Sequence, residues 1–175
     1  MRIFRALIIF GFLLLLPTIL SAQKVTTDFD HHANFSQYKT FMWLREPRMS
    51  DPLMRQRVID AVNAQLTAKG LRLVTDGADL GVVANSSTRQ EQSLQTFYTG
   101  FGGWGWRGWN DGFATTYPET FTVGTLVVDL FDSRTKQVVW RGTSSETIPD
   151  KPEKTAEKLN KAIEKMFKDF PPKKT

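Results

Sequence analysis

Apolar residues recur at helical spacing in two stretches of this chain and alternate with polar ones in several others. Val58, Ile59, Val62 and Leu66 form one stripe, and Ala156, Leu159, Ile163, Met166, Phe167 and Phe170 form the second. The first helix is bounded by Ser50 or Asp51 as cap, with Pro52 in the first turn, and by Lys69-Gly70, where glycine takes a left-handed conformation cheaply. The second begins at Asp150, with Glu153 three residues on as a capping-box partner, and stops at Pro171-Pro172.

Strand patterns fill the rest. Lys24 to Asp30 reads as a short polar strand, and Tyr38 to Leu44 alternates as a second. Leu71 to Val74 begins a third run, Asp76-Gly77 turns it, and Ala78 to Ser86 continues extended, with polar residues Ser87 to Gln95 carrying it onward. Thr122 to Phe131 places Leu126, Val128 and Leu130 on one face and Val127, Asp129 and Phe131 on the other. The short polar link Asp132 to Lys136 returns the chain into Gln137 to Ile148, with Val139 and Arg141 on one face and Val138 and Trp140 on the other. The order β-β-α-β-β-β-α predicts an α+β domain: an antiparallel or mixed β-sheet with two amphipathic helices packed on one face.

The first twenty-two residues do not belong to that pattern. Arg2 and Arg5 precede the apolar run Ala6 to Leu16, Pro17 breaks it, and Leu20-Ser21-Ala22 offers a small residue for cleavage. Ala6 to Leu20 falls short of the roughly 20 residues that cross a bilayer. Residues 1–22 are expected to be a signal peptide, which makes the protein exported, periplasmic or envelope-associated. Residues 23–170 then form a single domain, and residues 171–175 a basic tail. Of the 175 residues, 23 are Lys or Arg and 18 are acidic, a net charge of +5. Loss of Arg2 and Arg5 leaves 21 basic residues against 18 acids, or +3, without a dense basic face for nucleic acid. The chain has no cysteine, so disulfides, cysteine-bound zinc, a thiol nucleophile and a cysteine-linked lipid are all excluded.

One segment fits neither period. Residues 97–113, FYTGFGGWGWRGWNDGF, hold seven aromatics and six glycines in seventeen residues, with three of the five tryptophans. Three readings stand side by side. The segment is a long insert partly tucked onto the domain. Alternatively, it is a recognition surface for another envelope protein, a second copy, or a glycan whose sugar faces stack on tryptophan. The third reading is membrane contact, with indoles in the headgroup zone and Arg107 on lipid phosphate. Tyr98, Phe101, Trp104, Trp106, Arg107 and Trp109 are the candidate binding residues.

Other chemistry is thinly represented. Asp28, Asp30 and His32 share one face of an extended segment, but His31 and His32 are the only histidines and cannot complete a usual zinc set. No metal or other cofactor is expected. A hydrolase acting on an envelope substrate is the alternative to a binding role. Ser144-Ser145 lacks the G-x-S-x-G elbow, and Asp129, Asp132 and Glu146 are explained by alternation along strands. The glycines of 100–103 lack a P-loop lysine and open no helix.

Several motifs together resemble the domain-of-unknown-function family 4136. These are DFDHHANFSQYKTFMWL at residues 28–44, the helix end Lys69-Gly70-Leu71, Ala78-Asp79-Leu80, the Gly/Trp-rich insert, and GTLVVDLFDSRTKQVVWRGTSSETI at residues 124–148 around Val139-Trp140-Arg141-Gly142. The resemblance implies an exported bacterial envelope protein, often a lipoprotein, with no established activity and hence no catalytic residue. This chain departs from the lipoprotein pattern in having no cysteine.

Overall fold

The computed structural model describes residues 24–99 and 113–173. The expected signal peptide and most of the Gly/Trp-rich segment lie outside the described residues. Strand β1 is Lys24–Phe29, β2 is Thr40–Trp43 after a 3-10 turn at Phe35–Gln37, and helix α1 is Pro52–Ala68. Then follow β3 (Arg72–Leu73), β4 (Leu80–Thr99), β5 (Phe113–Asp132), β6 (Val138–Thr147) and α2 (Pro152–Phe167). The third predicted strand run is thus two elements, because Gly77 takes a positive φ of 64° and turns the chain between them.

The six strands form one mixed sheet in the order β1-β6-β5-β4-β2-β3. The β4, β5, β6 and β1 pairings are antiparallel, whereas β2 runs parallel to both β4 and β3. The α+β class and the two helices agree with the sequence reading. Val58, Val62 and Leu66 of α1 and Ala162, Ile163, Met166 and Phe167 of α2 are buried against Phe41, Leu80, Val82, Ala84, Leu126, Val128, Leu130 and Trp140.

The two helices are secured differently. Asp51 caps α1, its Oδ1 accepting from the backbone N–H of Leu53 at 2.8 Å and of Met54 at 3.3 Å. Gly70, at φ 89°, closes the other end, and the Leu71 N–H reaches the Leu66 carbonyl at 3.1 Å. Helix α2 departs from the expected capping box. Lys151 occupies the cap position with no side-chain hydrogen bond, so Asp150 lies one residue too early. Burial compensates: Ile163, Met166 and Phe167 contribute about 1.5–3 kcal/mol each, against about 1 kcal/mol for a missing cap.

The hairpin from β5 to β6 contains an irregularity that alternation did not foresee. Leu130 pairs with Trp140 but Phe131 pairs with Val138, so Val139 is an extra residue, a β-bulge. Both Val139 and Trp140 are therefore buried, rather than facing opposite ways. The Trp140 ring stacks on Phe167 with centroids 4.7 Å apart. Beneath it, a Cβ on Gly142 would come within 2.6 Å of Trp140 Cη2 and 3.1 Å of Met166 Sδ. Glycine is required there because ring and helix occupy the space of a side chain.

A polar clasp fixes the start of β2. Asp79 Oδ2 accepts from the Lys39 N–H (2.8 Å), the Thr40 N–H (3.0 Å) and the Thr40 hydroxyl (2.9 Å). The same hydroxyl accepts from the Asp79 N–H at 2.9 Å. Next to it, the buried Tyr38 hydroxyl donates to Asp132 Oδ2 at 3.0 Å, while Asp132 Oδ1 accepts from the Arg134 and Thr135 N–H groups. These backbone donors hold both carboxyls below the usual carboxylate range, the Lys39 N–H acting most on Asp79 and the Thr135 N–H most on Asp132. Tyr38 is pushed up, first by burial and then by its bond to Asp132.

Candidate binding arm and cleft

Strands β4 and β5 are each twenty residues long, far beyond what their neighbours cover. Strand β2 pairs with β4 only as far as Val82, with an isolated bridge from Arg48 to Asn85. Strand β6 accompanies β5 only as far as Val123. From Gln90↔Thr122 to Thr99↔Phe113 the two strands continue as ten pairs, and past the Ile148 N–H bonded to the Thr122 carbonyl they run alone. At about 3.4 Å per residue this ribbon extends about 30 Å from the sheet. Residues 100–112 join its far end. Tyr98 pairs with Ala114 near that end, whereas Phe101, Trp104, Trp106, Arg107 and Trp109 lie outside the described residues.

The ribbon mixes polar and apolar residues and is sparsely charged. Between Gln90 and Gln95, and between Thr116 and Thr122, the charged residues are Glu91 and Glu119. Leu94 is 72% exposed and Tyr117 60%. Pro118 lies opposite Leu94 within β5.

At the base of the arm, on the helical side, lies a cleft of about 360 Å³. Met49, Met54, Leu126, Ile148, Leu159 and Ala162 supply its apolar walls. Its floor and rim carry Ser86, Thr88, Ser144, Glu146 and Lys158. The Lys158 Nζ donates to the Thr147 carbonyl at 3.1 Å and lies 3.9 Å from Glu146 Oε2. Sequence reading missed this cleft, although a signal exists. Core-facing positions of the strands change from large and apolar to small or polar in step: Leu80-Val82-Ala84 gives way to Ser86 and Thr88, Leu130-Val128-Leu126 to Gly124, and Trp140 to Ser144 and Glu146. There the sheet continues past the N-terminal ends of both helices.

The residues weighed for chemistry are not assembled into one site. Strand β1 ends at Phe29, so Asp28, Asp30 and His32 do not share one strand face. Asp30 Oδ1 accepts from the His32 N–H at 2.8 Å, and the His31 ring lies against Phe29 at 4.4 Å. Among the described residues no group of three or more His, Asp or Glu side chains is placed to hold a metal. Asp129 is bound by Arg141 through two hydrogen bonds of 2.6 and 2.9 Å, which also raise the Arg141 pKa. Asp132 caps the hairpin turn, and Glu146 lines the cleft. Ser144 pairs with Val25, six residues from His31 along the chain, and neither histidine lines the cleft.

Among the described residues, no helix is long and apolar enough to cross a membrane. No curated protein matches the sequence. The fold is similar to that of a PDZ domain protein from Parabacteroides distasonis, with TM-score 0.55 and 15% identity over 86% of this chain. The chain spans 36% of that protein's length. It is also similar to the PelC dodecamer from Paraburkholderia phytofirmans, with TM-score 0.50 and 14% identity, over 83% of this chain and 95% of that one. At such identities the likeness is one of fold. The family model described as "Domain of unknown function (DUF4136)" matches residues 25–172, nearly the whole of the β1-to-α2 domain, and the chain belongs to that family.

Proposed function

We propose that this is a non-enzymatic, exported cell-envelope domain that works by binding through the tip of the β4–β5 arm. Residues 1–22 serve as the signal peptide, residues 23–170 form the single domain, and residues 171–175 are a basic tail. The reading is supported most by the ten-pair ribbon, which carries the ends of segment 100–112 about 30 Å from the last three-stranded part of the sheet. A segment attached there is in reach of an external surface. Tyr98 beside it and its Phe101, Trp104, Trp106 and Trp109 offer large amphipathic contact area, and Arg107 offers a bidentate donor for phosphate or carboxylate. The partner is an envelope protein, a glycan or a membrane surface, and self-association belongs to the same reading.

Tryptophan emission separates these partners. A blue shift with anionic vesicles assigns the membrane, and a shift only with peptidoglycan fragments assigns a glycan. A W104A/W106A/W109A variant that binds envelope fractions as the parent does, with unchanged oligomeric state, would overturn the proposal. The hydrolytic alternative finds little support, since Asp129 is committed to Arg141 and Asp132 to a turn.

A further inference from the structure

The open edge of β4 has a direction, a composition and a limit, and together they point to a partner. The Leu44 N–H donates to the Val82 carbonyl at 3.0 Å, and the Arg48 N–H to the Ala84 carbonyl at 3.4 Å. Even-numbered residues of β4 therefore present their backbone groups to the edge away from β5. The Ser86 hydroxyl still donates to the Arg48 carbonyl at 3.2 Å, and from Ser87 outward no described strand occupies that edge. The other edge of the ribbon is different. The Ile148 N–H donates to the Thr122 carbonyl at 2.8 Å, so even-numbered residues of β5 face away from β4. Pro118 is one of these, and it removes an outward donor from the β5 edge. The β4 edge has no proline. Edges left open in this way pair with other strands unless charge or proline blunts them.

The β4 edge carries one charge of each sign, Arg89 and Glu91, flanking Gln90. Both side chains are solvent-accessible, 65% and 39% exposed, and they meet each other within the strand. An antiparallel pairing of two such strands about a two-fold axis at Gln90 sets Arg89 of each copy opposite Glu91 of the other. Seven residues, Ser87 to Ser93, fit this register on each copy. Segment 44–48 occupies the edge beyond, so the distal ribbon diverges from the pairing. An isolated two-stranded ribbon is marginal in water, and two more strands would turn its base into a four-stranded sheet.

We propose that the β4 edge from Ser87 to Ser93 is a self-association surface, pairing antiparallel with the same edge of a second copy about Gln90. The natural chain has no cysteine, so Gln90→Cys gives a clean readout. Hydrogen-bonded antiparallel partners have Cα atoms about 5.5 Å apart, within disulfide range. The purified protein is expected to dimerise reversibly in sedimentation velocity at roughly tens of micromolar, as befits a small interface. Oxidised Q90C is expected to form a covalent dimer. R89E and E91R each place like charges across the axis and are expected to weaken dimerisation about tenfold. An equimolar mixture of the two restores opposite charges across the interface, while each chain keeps its own like-charge neighbours. Recovery of dimer in the mixture, with circular dichroism of both variants unchanged, therefore reports the intermolecular register alone. A parent protein that stays monomeric, or a mixture no more dimeric than its components, would overturn the proposal.

Discussion

Asp79→Asn and Asp79→Ala separate what the clasp at the start of β2 owes to charge from what it owes to an acceptor atom. All three hydrogen bonds, from the Lys39 N–H, the Thr40 N–H and the Thr40 hydroxyl, go to Oδ2. An asparagine oxygen in the same place keeps three acceptor bonds but loses the charge, whereas alanine leaves two backbone donors and a hydroxyl without their partner. A hydrogen bond to a charged acceptor contributes about 1.5–3 kcal/mol when well buried. The carboxyl here is half-buried and its bonds share one oxygen, so water recovers part of the loss. Asp79→Ala is expected to cost about 2–4 kcal/mol at neutral pH and Asp79→Asn about 1 kcal/mol. Urea unfolding at several pH values checks this. Because the folded carboxyl lies below the usual range near 4, its charge stabilises the fold above that pH and ceases to do so as pH falls through the folded value. The gap between parent and Asp79→Asn is therefore expected to be constant near neutrality and to close below about pH 4. The depressed Asp132 is present in both proteins and enters the difference only through its charge interaction with Asp79. An Asp79→Ala variant within about 0.5 kcal/mol of the parent, or a gap to Asp79→Asn that persists into acid, would refute the reasoning.

Gly142→Ala is expected to cost about 1–3 kcal/mol in urea, because its Cβ meets Trp140 Cη2 at 2.6 Å, and Trp140→Leu in the same chain should offset part of it. Replacing residues 92–120 by Asn-Gly removes most of the arm but none of the buried core, so the unfolding free energy is expected to stay within about 0.5 kcal/mol of the parent. Gly124→Leu places a side chain against Ile148, 2.9 Å from its Cβ position, and into the cleft. Fluorescence of an apolar dye bound to the parent should fall in that variant, and unchanged emission would show that the dye binds elsewhere.

The sequence made the repetitive parts legible. Val58, Val62 and Leu66 repeat at the helical period and Leu126, Val128 and Leu130 at the strand period, and each set is buried as its spacing requires. Single-residue events broke that reading. Val139 enters as a bulge, which alternation alone does not register, and Lys151 rather than Asp150 sits at the cap of α2. The family motifs turned out to mark packing: Tyr38-Lys39-Thr40 and Asp79 form the clasp, and Trp140-Arg141-Gly142 combines a stacked ring, an ion pair and a close approach. The composition of residues 97–113 drew attention to a candidate binding segment, but not to its place at the end of a ribbon. That place follows from ten cross-strand pairs in which polar residues mix with Phe, Tyr, Leu and Pro without a clear hydrophobic pattern. The cleft escaped because its residues are individually ordinary, and only the simultaneous change of three strands from apolar to polar on one face marks it.

Co-sedimentation with isolated cell-envelope fractions, comparing the parent with the chain in which Asn-Gly replaces residues 92–120, tests the arm as the binding element most directly. The parent is expected to pellet with the envelope, while the shortened chain, folded by circular dichroism, stays in the supernatant. Equal pelleting of the two would place the binding surface on the sheet and helices and contradict the account.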